Sequence, residues 1–197
     1  DNLDIAIQIE SILANHGDNR YHKARHSILL AELLIDKGEY SKAKEILDGI
    51  QYNSQNSFLF AAQLKCYSLG EFELPKDENY VEDFMKLLEE DHPSQRIAYW
   101  YARWALVNDK QAEEYTQHCI KHLASLTDVP LFSHDAPGVI LACEIIDLAA
   151  RGYKLEFDTS QFYEMVKSNS QASTLKWLEQ NPPNEDDWLA PLNFNYR

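Results

Sequence analysis

Two pairs of histidines stand four residues apart, His22/His26 and His118/His122. On a helix that spacing puts both imidazoles on one face, where they could share a metal ion. The HExxH metal motif adds a glutamate inside such a pair, and a third ligand must come from nearby. Neither pair has that glutamate or an obvious third ligand, so the expectation is surface histidines and no metal. Three cysteines, Cys66, Cys119 and Cys143, form no CxxC, and each lies in an apolar stretch. They read as small buried hydrophobes, and an odd free thiol points to the cytosol, with one disulfide plus one free thiol left open. Glu32 and Glu144 fall in apolar runs, where buried acids and acids at a helix edge look the same. No glycine-rich phosphate loop, GxSxG, family-spaced Cys/His dyad or kinase signature is present. The expectation is therefore a protein that is not an enzyme and uses no cofactor.

Two other stretches could make contacts rather than bonds. Tyr99-Trp100-Tyr101-Ala102-Arg103-Trp104 is dense in aromatics, with Trp100 and Trp104 on one helical face and Tyr101 beside them. Arg103, three residues from Trp100, can lie against its ring. Aromatics so spaced form core, or line a groove where Trp, Tyr and Arg carry much of the binding energy of a partner. Arg20-Tyr21-His22-Lys23-Ala24-Arg25-His26 is a local basic run that could receive an acidic or phosphorylated peptide, or simply balance a helix surface.

The elements that would position these residues are helices. Between Ala24 and Ile50, apolar residues recur at Ile28, Leu30, Ala31, Leu34 and Ile35, and again at Tyr40, Ala43, Ile46, Leu47 and Ile50. Gly38 between them supplies the left-handed conformation that stops a helix. Ala31 and Ala43 are small where the two rods would cross. This stretch resembles a tetratricopeptide repeat: small Ala31, apolar Leu34, the turn Gly38-Glu39-Tyr40, small Ala43 and apolar Leu47 follow the family pattern. Ser27 replaces the family's aromatic, Ile50 replaces its late small residue, and its closing proline is missing.

The rest of the chain keeps the rhythm. Leu3 to Leu13 predicts an opening helix, stopped by Asn15-His16-Gly17, either the second helix of an upstream unit or a cap. Asp18 or Asn19 can cap the next helix, which begins near Arg20. Ser57 opens an apolar helix stopped by Gly70; a longer loop with Pro75 leads to a helix at Tyr80–Leu88. Ser94 opens the aromatic helix, Asn108-Asp109 makes a turn, and the partner helix carries Ala112, Tyr115, Cys119, Ile120 and Leu123. Pair starts at Ala24, Ser57 and Ser94 are 33 and 37 residues apart, near the family period of about 34. The expected fold is all-α, antiparallel helix-pair repeats over 1–197. The clearest unit is 24–50 and weaker units are 57–91 and 95–126. Capping helices fill 136–181, including one ended by Arg151-Gly152 that is apolar nearly all round, and an apolar tail runs over 182–197.

A formal net charge of −14 opposes nucleic acid and anionic membrane surfaces. Residues 71–91 hold nine acids against Lys76 and Lys86, a solvated face or a dock for a basic partner. With no apolar run long enough to span a bilayer and no visible signal peptide, a cytoplasmic location is expected, or a periplasmic one for an excised domain. The resemblance implies a protein–protein interaction module, an adaptor, scaffold or regulatory domain, gripping a peptide or helix of another protein along the first helices of its pairs. The residues it implies are Arg25, Ile28, Leu29, Glu32 and Ile35, joined by Trp100, Arg103 and Trp104. The Lys/Asn set by which some members hold a C-terminal carboxylate is absent. The alternative is a helical small-ligand sensor or enzyme with a pocket around Trp100 and Trp104. Trp188, Leu189, Leu192, Phe194 and Tyr196 in the tail either pack back on the last helices or insert into a second subunit to form a homodimer.

Overall fold

The computed structural model describes residues 2–17, 19–50, 57–75, 79–88, 94–127 and 144–153. The described residues are helical and contain no strand. The expected helices over 158–181, the apolar tail and its homodimer contact lie outside them. The chain divides into two compact units, Asp1–Asp109 and Lys110–Arg197. The boundary falls at the Asn108-Asp109 turn, between the helices read as the third pair.

The first unit holds α1 (Asn2–His16), α2 (Arg20–Asp36), α3 (Tyr40–Asp48), α4 (Ser57–Leu69), α5 (Tyr80–Leu88) and α6 (Ser94–Val107). Asn19, not Asp18, caps α2: its side chain accepts from the His22 amide at 2.9 Å, satisfying one donor of the first turn. Gly38 ends α2 at φ 81°. The Glu39 amide reaches back to the Leu34 carbonyl at 2.8 Å and the Gly38 amide to Ile35 at 2.9 Å, the paired bonds of a Schellman turn. That turn reverses the chain into α3.

Helix α4 sits at the centre. It packs against α2, α3, α5 and α6, while α1 packs on α2, α2 on α3 and α5 on α6. Nine of its thirteen residues are buried, consistent with its contacting four helices. One buried cluster joins Ala31 and Leu34 of α2, Ala43 and Leu47 of α3, and Leu59 and Ala62 of α4. Ala31 and Ala43 are fully buried. On α6, Ala98, Ala102 and Ala105 are fully buried too, at the i, i+4, i+7 spacing of one face. Each fully buried leucine, such as Leu47 or Leu64, contributes about 2 kcal/mol of transfer free energy.

Polar side chains stitch the seams between helices. Gln63 of α4 donates to the Leu47 carbonyl at 3.4 Å and accepts from the Tyr80 hydroxyl at 3.1 Å, linking α3, α4 and α5. The Tyr67 hydroxyl donates to Asp48 at 2.5 Å, and Lys44 pairs with the same carboxylate while lying over the Tyr67 and Phe72 rings. Burial and the Asp48 carboxylate both push the Tyr67 hydroxyl pKa up, so it stays a donor. The Trp104 indole N–H donates to the Phe72 carbonyl at 2.9 Å and fixes the loop after α4. Helix α4 ends at Leu69, with Gly70 the first residue past it, as the sequence implies. The left-handed residue after α4 is Glu71, at φ 56°, rather than Gly70, and the Phe72 amide closes the turn on the Tyr67 carbonyl at 2.9 Å.

Helix α1 is the exception to this economy. None of its residues is buried. Its Asp4 pairs with Lys37 at 2.8 Å and its Glu10 with His26 at 2.7 Å. Ile5, Ile9, Ile12 and Leu13 are exposed, Ile12 to 60%.

In the second unit, α7 (Glu114–Thr127) begins two residues after Ala112, which was expected inside it. A turn over 111–113 precedes it, and buried Thr116 donates its hydroxyl to the Lys110 carbonyl at 2.8 Å. Cys119 and Leu123 form its buried face. The stretch 144–150 is helical and buries Ile145, Ile146 and Leu148. It ends at Arg151-Gly152 as the sequence implies, with Gly152 at φ 103° and the Tyr153 amide bonded to the Leu148 carbonyl at 3.1 Å. Residues 128–143, and Cys143 with them, fall outside the described residues.

Candidate functional site

Within the first unit, α2 from Tyr21 to Glu32 and the opening turns of α4 and α6 surround a recess of about 450 Å³. Tyr21, Ala24, Arg25, Ile28, Leu29 and Glu32 come from α2, Phe58 from α4 and Arg96 from α6. The helical period puts Tyr21, Arg25, Ile28 and Glu32 in one row, four, three and four residues apart. Ile28 is buried, whereas Tyr21, Leu29 and Phe58 are exposed, Phe58 to 62%. The wall is thus mainly apolar, with polar groups at few points.

Those groups are two guanidiniums and one carboxylate. Arg96 donates to Glu32 at 3.2 Å, tying α6 to α2 across the recess. Both side chains keep partial access to solvent, so this pair orients more than it stabilises. Arg25 is exposed and makes no ion pair among the described residues.

Of the residues expected to meet a partner, Arg25, Ile28, Leu29 and Glu32 come together on this recess. Ile35 lies elsewhere, buried in the core cluster. Trp100 and Trp104 are also buried and do not line the recess. Arg103 lies over the Trp100 ring at 5.1 Å and the Tyr99 ring at 5.9 Å, as its spacing suggested. The sequence places Tyr21 in the basic run but singles out neither Phe58 nor Arg96. Aligning the pair starts Ala24, Ser57 and Ser94 would have found both, because Phe58 and Arg96 stand one and two residues past their starts, beside Arg25.

The histidine pairs part company. His26 donates to Glu10, while His22 is exposed. In α7, burial and the neighbouring His118 lower the His122 pKa. Among the described residues no group of three His, Cys, Asp or Glu is placed to hold a metal. Burial pushes the Cys66 thiol up to about 11 and raises that of Cys119, which keeps both protonated near neutral pH. Among the described residues no helix is long and apolar enough to cross a membrane.

No protein-family model matches the chain, and neither a known protein nor a solved structure matches it.

Proposed function

We propose that this protein is a non-catalytic interaction module of the tetratricopeptide type, binding a peptide or helix of another protein along the first helices of its pairs. In this reading α2/α3 and α4/α5 are pairs, α6 opens the third, and α1 packs on α2 in the place that α3 takes on α4. The order of packing supports it: each first helix lies against the second helix before it, and α2, α4 and α6 follow one another side by side. The observation that carries the function is the recess that α2 forms with the opening turns of α4 and α6. It leaves Tyr21, Leu29 and Phe58 uncovered around one apolar floor. Exposed aromatic and aliphatic side chains around a cavity of this size suit the anchor side chains of a peptide.

Selection of a random peptide library on the full chain tests the reading. Peptides should be recovered and should be lost on Leu29→Asp, which places a charge in the recess at an exposed site and leaves thermal unfolding unchanged. Recovered peptides that bind Leu29→Asp as well as the wild type would put the binding surface elsewhere, and recovery of none would refute the module.

A further inference from the structure

Building on that reading, we infer that the recess takes a segment in which an aliphatic or aromatic side chain is flanked by aspartate or glutamate. The apolar side chain seats on Ile28, Leu29 and Phe58, and the carboxylate goes to Arg25. Three observations carry this, beginning with the charges at the recess itself. Glu32 is already paired with Arg96, so the acid that would attract a basic segment is neutralised. Arg25 has no such pair among the described residues and stands exposed at the rim.

The second observation is the surrounding charge. Residues 20–29 carry Arg20, Lys23 and Arg25 with no acid, inside a chain of net charge −14. The start of α2 is therefore locally basic on an acidic molecule, and the Glu10 carboxylate that α1 brings to it is taken by His26 rather than by Arg25. The third is chemical fit. The planar guanidinium presents two parallel N–H donors to a carboxylate. A partner with apolar residues alone would leave that group unanswered beside the bound chain.

The overall charge makes the test sharp, because an acidic molecule attracts basic peptides without specificity. The selection above is run in parallel on the wild type, Arg25→Glu and Leu29→Asp, and the best wild-type peptide is synthesised and titrated by fluorescence anisotropy. Wild-type selections should enrich acidic residues next to Leu, Ile, Phe or Trp. Arg25→Gln should weaken the synthesised peptide about five-fold and Arg25→Glu more, because repulsion adds to the lost pair. The Arg25→Glu selection should shift towards basic peptides. Peptides that depend on Leu29 but show no acidic bias and no response at Arg25 would overturn this inference and leave the peptide-binding reading standing. Peptides insensitive to Leu29 would overturn both, and so would recovery of none.

Discussion

Ala43 tests the packing on which the first unit depends. It is fully buried at the crossing of α3 with its neighbours, in one cluster with Ala31, Leu47 and Ala62. Replacing it with Leu adds three carbons where no solvent-filled space is left to take them. Overpacking of this kind costs about 1–3 kcal/mol. The upper half of that range applies, because neighbours Ala31 and Leu47 are themselves fully buried and α2 and α4 both press on α3. Ala43→Gly removes one buried methyl and adds helix-propensity loss, about 1.5–2 kcal/mol together. Ala43→Ser should cost about 1 kcal/mol or less, since its hydroxyl can reach the carbonyl one turn back. The expected order of destabilisation is Leu, then Gly, then Ser. Urea unfolding followed by the emission of Trp100 and Trp104, in a background carrying Trp177→Phe and Trp188→Phe, reads the first unit. Should Ala43→Leu unfold within about 0.5 kcal/mol of the parent, a surface-like tolerance, the close crossing inferred here is wrong.

Two further outcomes follow from the turns and the α1 contacts. Gly38→Ala should cost about 1 kcal/mol from left-handed backbone alone, since a Cβ there meets nothing within 4 Å, whereas Glu71→Gly should be neutral or stabilising by up to about 1 kcal/mol; equilibrium unfolding measures both. Lys37 lowers the pKa of Asp4 and of Glu39, chiefly through its hydrogen bond to Asp4 and, at Glu39, second to Lys42. Groups with lowered folded pKa values stabilise above their unfolded values, 3.8 and 4.5, and lose that contribution as pH falls through the folded ones. The melting difference between wild type and Lys37→Met should therefore shrink between about pH 6 and pH 3, and high salt should erase it at either pH; a difference that grows in acid would contradict the pairing.

Much of the fold was written in local chemistry. Gly38 and Gly152 stop their helices where a left-handed residue is needed, and the capping asparagine stands before α2. Helix α4 also stops at Gly70, but the left-handed residue is the next one, and this has a physical origin. Composition names the residue best able to turn left-handed, but the bond from Phe72 to Tyr67 and the anchoring of the Phe72 carbonyl by Trp104 put the strain on Glu71 instead. The candidate site was half legible. Arg25, Ile28, Leu29 and Glu32 share the helical period, which one stretch of sequence displays. Phe58 and Arg96 reach the recess only because α4 packs on α2 and α6 on α4, information that resides in tertiary contacts. The aromatic run left two readings open, core and groove. The alanine face at Ala98, Ala102 and Ala105 is fully buried and Trp100 and Trp104 are buried with it, which is the core reading.

Helix α1 wears its oil on the outside. Ile5, Ile9, Ile12 and Leu13, each roughly half wetted, forgo about 4 kcal/mol that shelter from water would return. Two ion links and a long seam, with Ile7 against the core cluster, hold this rod to α2. At high concentration this edge should be where one molecule first sticks to the next, and Ile5→Lys with Ile12→Lys should keep such a sample clear.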